Sequence, residues 1–141
     1  MSLYKRTQRG SVLLWIIAAA SAIILLAVLT AGGAYGTLLV LPALGLIAWL
    51  MSSLTVEASE RDVCWWFGPG FWRKSVARAD IVAARRVRNK WWYGFGIRWT
   101  PYGWLYNVGG LDAVQIDLAS GRSLRIGTDD PDGLLRALSQ R

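Results

Sequence analysis

After a short basic arm, the chain has two apolar segments and then changes abruptly to an alternation of apolar and polar residues. Residues 11–54 contain no charged side chain. Ser11 to Ala31 already supplies the ~20 apolar residues that cross a hydrocarbon core as a helix. A second apolar run, Thr37 to Leu54, follows a short glycine-rich turn. The pattern predicts an antiparallel transmembrane helical hairpin with spans at about 11–31 and 37–54.

A cleavable signal peptide is the main alternative for the first apolar run. The basic start fits one, and residues 31–34 (Ala-Gly-Gly-Ala) could serve as a cleavage site. The run is nevertheless longer than the ~7–15 residues of a signal-peptide core, and a second apolar run follows it. Both observations favour a membrane span.

From Thr55 onward the pattern predicts strands. Gly68-Pro69-Gly70 separates two aromatic-rich runs as a hairpin turn would, and Ile81–Arg88 has the composition of a further strand. Ser120-Gly121 joins two strands with clean alternation. The residues of these two strands expected to face the core are Val114, Ile116, Leu118, Leu124 and Ile126. Those expected to face outward are Ala113, Gln115, Asp117 and Arg125.

A short helix is predicted at the C-terminus. Asp130 suits the N-cap, Pro131 the first helical position, and Asp132 complements the helix dipole. The residues expected to form its apolar stripe are Leu134, Leu135 and Leu138.

Positive charge is concentrated in one part of the chain. The net charge is +7, and residues 71–98 hold eight Lys or Arg against one acid, Asp80. Lys and Arg flank the predicted helical hairpin at its open end and are absent from its turn. Because positive residues stay on the cytoplasmic side, both termini are expected in the cytoplasm.

Half of the residues from Trp91 to Tyr106 are aromatic. Gly96–Tyr106 is expected to supply core and turns, because large rings carry most of the apolar area that a small domain can bury. Lys90–Tyr93 instead joins rings to positive charge. The candidate surface for lipid or a partner consists of Arg73, Lys74, Arg85, Arg86, Arg88, Lys90, Trp91, Trp92 and Tyr93.

The basic run Arg85–Lys90 has three interpretations. It could be solvated and only set the membrane topology, it could contact anionic headgroups, or it could bind nucleic acid through phosphate contacts and base stacking. Tethering to a bilayer favours lipid over nucleic acid.

The chain offers little material for catalysis. It has no histidine and one cysteine, Cys64, which lies in an aromatic strand pattern typical of a buried thiol. The acidic cluster Asp129–Asp132 is explained by the helix cap. We expect no catalytic, cofactor or metal site, and the sequence does not indicate an enzyme.

Residues 55–141 resemble the bacterial PH-like (pleckstrin-homology-like) domains found in small membrane proteins. The resemblance implies a β-barrel or split barrel of about seven strands with a C-terminal capping helix, a non-catalytic role and homo-oligomers. It does not imply a phosphoinositide site. The matching segments are Ala79–Ile81, Gly96–Arg98, Gly103–Asn107, Leu111–Val114, Ser120–Arg122 and Arg125–Pro131.

The expectation is therefore an α+β membrane protein with three parts: a cytoplasmic basic arm (1–10), a transmembrane helical hairpin (11–54) and a cytoplasmic PH-like domain (55–141). We expect a multi-pass protein of the bacterial inner membrane that needs no cofactor. Its domain would bind anionic lipid headgroups or protein partners, including a second copy of itself. The alternative is an accessory subunit of a larger membrane complex that docks through its aromatic surface.

Overall fold

The protein is an α+β fold with nine strands in two sheets, seen in a computed structural model that describes residues 2–32 and 35–140. The first sheet has the order β1-β2-β3-β4 and comprises β1 (Ser2–Arg9), β2 (Ser53–Ser59), β3 (Asp62–Phe67) and β4 (Phe71–Ala77). The second has the order β5-β8-β9-β7-β6 and comprises β5 (Ile81–Arg88), β6 (Gly96–Thr100), β7 (Gly103–Asn107), β8 (Asp112–Leu118) and β9 (Ser123–Gly127). The α-helices are α1 (Ser11–Ala31), α2 (Val40–Leu50) and α3 (Pro131–Ser139).

Helix α1 has the bounds that the sequence predicts for the first span. Its mean hydropathy is 2.9, and among the described residues it is the one helix long and apolar enough to cross a membrane. Ser21 and Thr30 satisfy their hydroxyls within the helix, each donating to the carbonyl four residues earlier at 2.8 Å. Gly32 ends the helix in the left-handed conformation that glycine tolerates.

The second apolar segment is shorter than predicted. A 3₁₀ turn at Tyr35–Leu39 leads into α2, and the two together run from Tyr35 to Leu50. The predicted end at Leu54 is wrong, because β2 begins at Ser53 and pairs Leu54 with Phe67 of β3. Leu54 belongs to the core between the sheets, where its side chain is fully buried.

The predicted basic arm is a strand. Residues Ser2–Arg9 form β1, which pairs with β2 in antiparallel register from Ser2 opposite Ser59 to Arg9 opposite Ser53. The helical segments are therefore an insertion between two neighbouring strands of one sheet. The insertion closes at its base, where the Gly10 amide donates to the Ser52 carbonyl at 2.8 Å.

The two sheets enclose one apolar core, and α3 packs against it. The inward pattern predicted for β8 and β9 is confirmed: Val114, Ile116, Leu124 and Ile126 are buried, and Leu118 is partly buried against them. The cap of α3 is also as predicted, since the Asp130 carboxylate accepts from the Gly133 amide at 3.0 Å. Eight strands, β2 to β9, follow the helices where about seven were predicted, and no ladder among the described residues closes the two sheets into a barrel.

Arg78 joins the start of β5 to the end of α3. Its guanidinium donates to the Ser59 carbonyl at 2.9 Å and to the Ala137 and Gln140 carbonyls at 2.8 Å and 2.6 Å. The last carbonyls of a helix lack partners within the helix, so a cation there stabilises its end. This member of the basic segment therefore has a structural role.

Candidate functional site

The predicted strand Ile81–Arg88 is confirmed as β5, an edge strand of the second sheet. Two of its candidate cations already face carboxylates. Arg85 lies 3.9 Å from Asp117, and Arg86 lies 3.6 Å from Asp112 and 3.4 Å from Asp132. These are exposed pairs of small energetic value, but they reduce the positive charge available to a ligand.

The connection from β5 to β6 crosses the outer face of the second sheet. These two strands are the opposite edges of the sheet, so residues 89–95 must pass over β8, β9 and β7. The backbone N–H of Asn89 donates to the Leu111 carbonyl at 2.7 Å. This bond holds the start of the crossing against the loop between β7 and β8. Trp91–Tyr93 then form a 3₁₀ turn that ends at Gly94, whose φ is 73°.

We call Lys90, Trp91 and Trp92 the leading edge. Their side chains are exposed, and the two indoles leave 76% and 60% of their surface open. The rings meet edge to face with centroids 5.8 Å apart, and the Lys90 ammonium lies 5.0 Å from the Trp92 ring centroid. Tyr93 is partly buried, and its ring centroid lies 6.2 Å from that of Trp92. The result is a surface that is both apolar and positive.

The leading edge is connected to the base of the helical insertion through the β7–β8 loop. Gln8, next to the end of β1, donates its side-chain amide to the Gly109 carbonyl of this loop at 2.8 Å. The same loop holds Leu111, the partner of Asn89. The exposed indoles of the leading edge are thus anchored beside the end of the domain from which α1 and α2 emerge.

Arg73 and Lys74 are separate from this surface. Both lie on β4 of the first sheet, where Arg73 stacks 4.6 Å from the Trp66 ring centroid and Lys74 lies 5.5 Å from that of Trp72. Across the described residues, no hydrogen bond, ion pair or ring contact links either one to Arg85–Tyr93. The candidate surface therefore divides into two parts.

The crossing connection buries polar side chains that the sequence predicts to face outward. Arg125 is 6% exposed and Gln115 is 3% exposed, although both point away from the core. The Arg125 guanidinium lies 4.0 Å from the Tyr102 ring centroid and donates to Gln115 at 3.0 Å and Asn89 at 3.2 Å. Burial lowers the pKa of Arg125 below its usual value. Ala113, Gln115 and Arg125 point away from the core as predicted, but they are buried, because the 89–95 segment and Tyr102 cover this face.

Sequence reasoning missed a second aromatic surface, at the β6–β7 hairpin. Trp99 and Trp104 are cross-strand partners with ring centroids 5.2 Å apart, and Trp99 is 71% exposed. These rings were expected in the core, which instead takes Leu105 and Tyr106. The sequence did contain a signal for this ring pair, because residues placed symmetrically about the Pro101–Gly103 turn lie opposite each other on one face of a hairpin.

The structure brings no metal-binding cluster together. Among residues 2–32 and 35–140, no group of three or more His, Cys, Asp or Glu side chains could hold an ion. Cys64 is partly buried beside Asp62, and burial raises the pKa of its thiol, which disfavours the reactive thiolate.

Comparison with known proteins gives no relative. No protein-family model, no curated protein and no solved structure matches this chain. Function is therefore inferred from the fold, from the leading edge and from the aromatic surface of the β6–β7 hairpin.

Proposed function

We propose that the protein is a membrane-anchored, non-catalytic binding module with its folded domain on the cytoplasmic face of a bacterial inner membrane. In this proposal α1 and the Tyr35–Leu50 segment cross the bilayer, and the domain resembles a PH-like module. The leading edge contacts anionic headgroups. The observation that carries the proposal is the pairing of β1 with β2 across the apolar insertion.

Strand pairing constrains how often the insertion crosses a membrane. Hydrogen-bonded neighbours in one sheet must lie in the same compartment, and β1 precedes α1 whereas β2 follows α2. If α1 crosses, the segment Tyr35–Leu50 must cross back. Its 3₁₀ residues rise ~2 Å each and its α-helical residues ~1.5 Å, giving about 26 Å. A hydrocarbon core of ~30 Å can thin locally to accommodate this length.

Charge supports the cytoplasmic orientation. Lys5, Arg6 and Arg9 lie before α1, Arg61 follows β2, and residues 11–54 have no charge at all. The positive-inside rule places such an open end in the cytoplasm. Trp15 and Trp49 lie near this open end with exposed rings, as expected for aromatic side chains at the headgroup level.

Single cysteines introduced into a Cys64→Ser background test the topology. We expect a membrane-impermeant thiol reagent to label Tyr35→Cys, at the turn, in intact spheroplasts. Ser2→Cys and Ser120→Cys should be labelled only after the membrane is opened, because Ser2 lies on β1 and Ser120 in the exposed β8–β9 turn of the same domain. Labelling of Ser2→Cys and Ser120→Cys on different sides would contradict the even number of crossings.

Lipid contact follows from the position and chemistry of the leading edge. Lys90 of the leading edge and the neighbouring Arg88 have no carboxylate partner within salt-bridge distance among the described residues, unlike Arg85 and Arg86. Each Lys or Arg near an anionic surface contributes ~1 kcal/mol, and indoles favour the interface between lipid and water. The leading edge combines both beside the base of the helical insertion.

Brominated lipids in nanodiscs test this contact on the full chain. The full chain is required because β1 completes the first sheet, so residues 55–141 alone would lack an edge strand. We expect Trp91→Phe/Trp92→Phe to remove part of the indole emission that headgroup-proximal bromines quench. Arg88→Gln/Lys90→Gln should reduce the quenching in anionic discs and not in zwitterionic ones.

Two matched controls distinguish lipid contact by the leading edge from nonspecific adsorption through any exposed indole or cation. Trp99→Phe/Trp104→Phe removes two exposed indoles of the β6–β7 hairpin, and Lys74→Gln/Arg122→Gln removes two other exposed cations. Both should leave the lipid-dependent fraction of quenching unchanged. If either control lowered it as much as the leading-edge variants do, the proposed contact would be wrong.

A further inference from the structure

A groove of about 800 Å³ lies between the edge of the first sheet and the β6–β7 hairpin of the second. Lys74, Ser75 and Val76 of β4 form one wall, and Trp99, Tyr102 and Trp104 form the other. Trp65 of the core also lines it, and Arg122 of the β8–β9 turn stands at one end. Pockets of ~300–1,000 Å³ with aromatic walls and a few polar groups are typical of binding sites.

The groove is flanked by an unpaired strand edge. β4 pairs with β3 on one side, and its other side pairs with no strand in the part of the chain that the structure describes. Trp72, with a φ of 52°, interrupts the start of β4 and bends the ladder there. The free backbone groups of the rest of the strand therefore lie along the groove. Such an edge pairs readily with an added extended segment.

The charge of the groove is one-sided. Lys74 and Arg122 line it, and no carboxylate does among the described residues. A matching occupant carries negative charge on its flanks and apolar side chains at its centre. The chain's own acidic cluster does not fit, because Asp129 bonds Arg6 at 3.0 Å, Asp130 caps α3 and Asp132 pairs with Arg86. A second copy thus offers no free acidic strand.

Lipid is not the matching partner, because of where the groove lies. The turn at Gly68, which precedes β4, lies against the carbonyls of Trp49 and Leu50 at the base of the insertion. The groove is lined by Lys74–Val76, in the half of β4 that is farther from this turn. Val108, just after the end of β7, lies against Gly10 at the same base. The hairpin side of the groove is at the other end of β7, where the strand begins at Gly103. The groove faces away from the end that the helices occupy.

We propose that this groove binds an extended, acidic segment of another protein, which adds as a strand along β4. Apolar side chains at the centre of the segment pack on Trp99 and Trp104, and carboxylates at its flanks pair with Lys74 and Arg122. Strand addition supplies the backbone bonds, and the ring pair supplies the apolar pocket. The site shares no residue with the leading edge, so it is independent of lipid contact.

Fluorescence anisotropy on the full chain in mild neutral detergent tests the site. The probe is a short labelled peptide with Val residues at its centre and Glu at both ends, and its partner probe is the same peptide with Lys in place of Glu. We expect the acidic peptide to bind and the basic peptide not to bind. Lys74→Glu/Arg122→Glu and, separately, Trp99→Ala should each weaken the acidic peptide about tenfold or more, as loss of an interface hot spot does.

The matched controls are Arg61→Glu and Trp91→Ala, which change an exposed cation and an exposed indole elsewhere. Both should bind the acidic peptide as the parent chain does. Hydrogen exchange should slow within residues 73–77 when the peptide is bound, because the backbone amides there that point away from β3 gain partners. The proposal is overturned if the acidic peptide does not bind, if the groove variants bind it unchanged, or if protection appears only elsewhere.

Discussion

Replacing Trp65 by Ala is expected to destabilise the folded domain by about 3–5 kcal/mol, the usual cost of truncating a buried large aromatic side chain. Trp65 is 2% exposed and packs on Tyr106 with ring centroids 5.2 Å apart. It lies where β3 faces the second sheet, so its loss opens a cavity between the two sheets. Urea unfolding of the full chain in mild detergent, followed by near-ultraviolet circular dichroism, measures the change.

Trp99→Ala is the matched control for this substitution. The same atoms are removed from a mostly exposed site, so we expect the free energy of unfolding to change by less than about 0.5 kcal/mol. Trp65→Phe should cost less than Trp65→Ala, because it keeps a ring and removes an indole nitrogen that has no acceptor among the described residues. Equal losses for Trp65→Ala and Trp99→Ala would mean that the core lies elsewhere.

Gly103→Ala is the second substitution with a large expected effect. Gly103 ends the β6–β7 turn with a φ of 97°, and an added Cβ would meet the Ser123 carbonyl oxygen at 1.9 Å. That distance is far inside van der Waals contact, so β7 must move away from β9 or the turn must rearrange. We expect a loss of about 3–5 kcal/mol, from backbone strain and overpacking together.

Gly121→Ala separates these two contributions. Gly121 is also a turn glycine, with a φ of 82°, but an added Cβ there meets no atom within 4 Å. It should therefore show the strain alone, and its loss of unfolding free energy should be about 2 kcal/mol smaller than that of Gly103→Ala. The same urea titration compares the two variants. A difference near zero would show that β7 and β9 are not packed as closely as described.

The elements that the sequence predicts well are those whose signal is local. Helix α1 has the predicted bounds because apolar residues on every side and a left-handed glycine end lie within one stretch. Helix α3 follows from Asp130 and Pro131, and the β8–β9 hairpin follows from clean alternation around Ser120-Gly121. In each case the residues that decide the structure are neighbours in the chain.

Strand β1 was missed because its signal is not local. It is an edge strand with mostly exposed side chains, so no alternation of apolar residues marks it. Its partner, β2, lies beyond the whole apolar insertion. The charged residues Lys5, Arg6 and Arg9 indicated an arm, and only the pairing partner reveals a strand.

The candidate surface was predicted in part. Lys90, Trp91 and Trp92 do form one exposed patch, because each cation and ring is a chain neighbour of the next. Arg73 and Lys74 lie on the other sheet, and the burial of Arg125 depends on a crossing connection. That crossing follows from the order β5-β8-β9-β7-β6, in which β7 and β9 are parallel neighbours. Strand order is a long-range property that local patterns do not contain.

Insertion of the helices between β1 and β2 imposes an order on biosynthesis. β1 leaves the ribosome before the helices, yet its only strand partner among the described residues is made after residues 10–52. Until β2 has been synthesised, the backbone groups of β1 have no strand to pair with, and unpaired strands are prone to incorrect association. In a membrane-inserted chain, the first sheet would therefore be completed only after the second helix has returned to the starting side, so the finished sheet reports complete insertion.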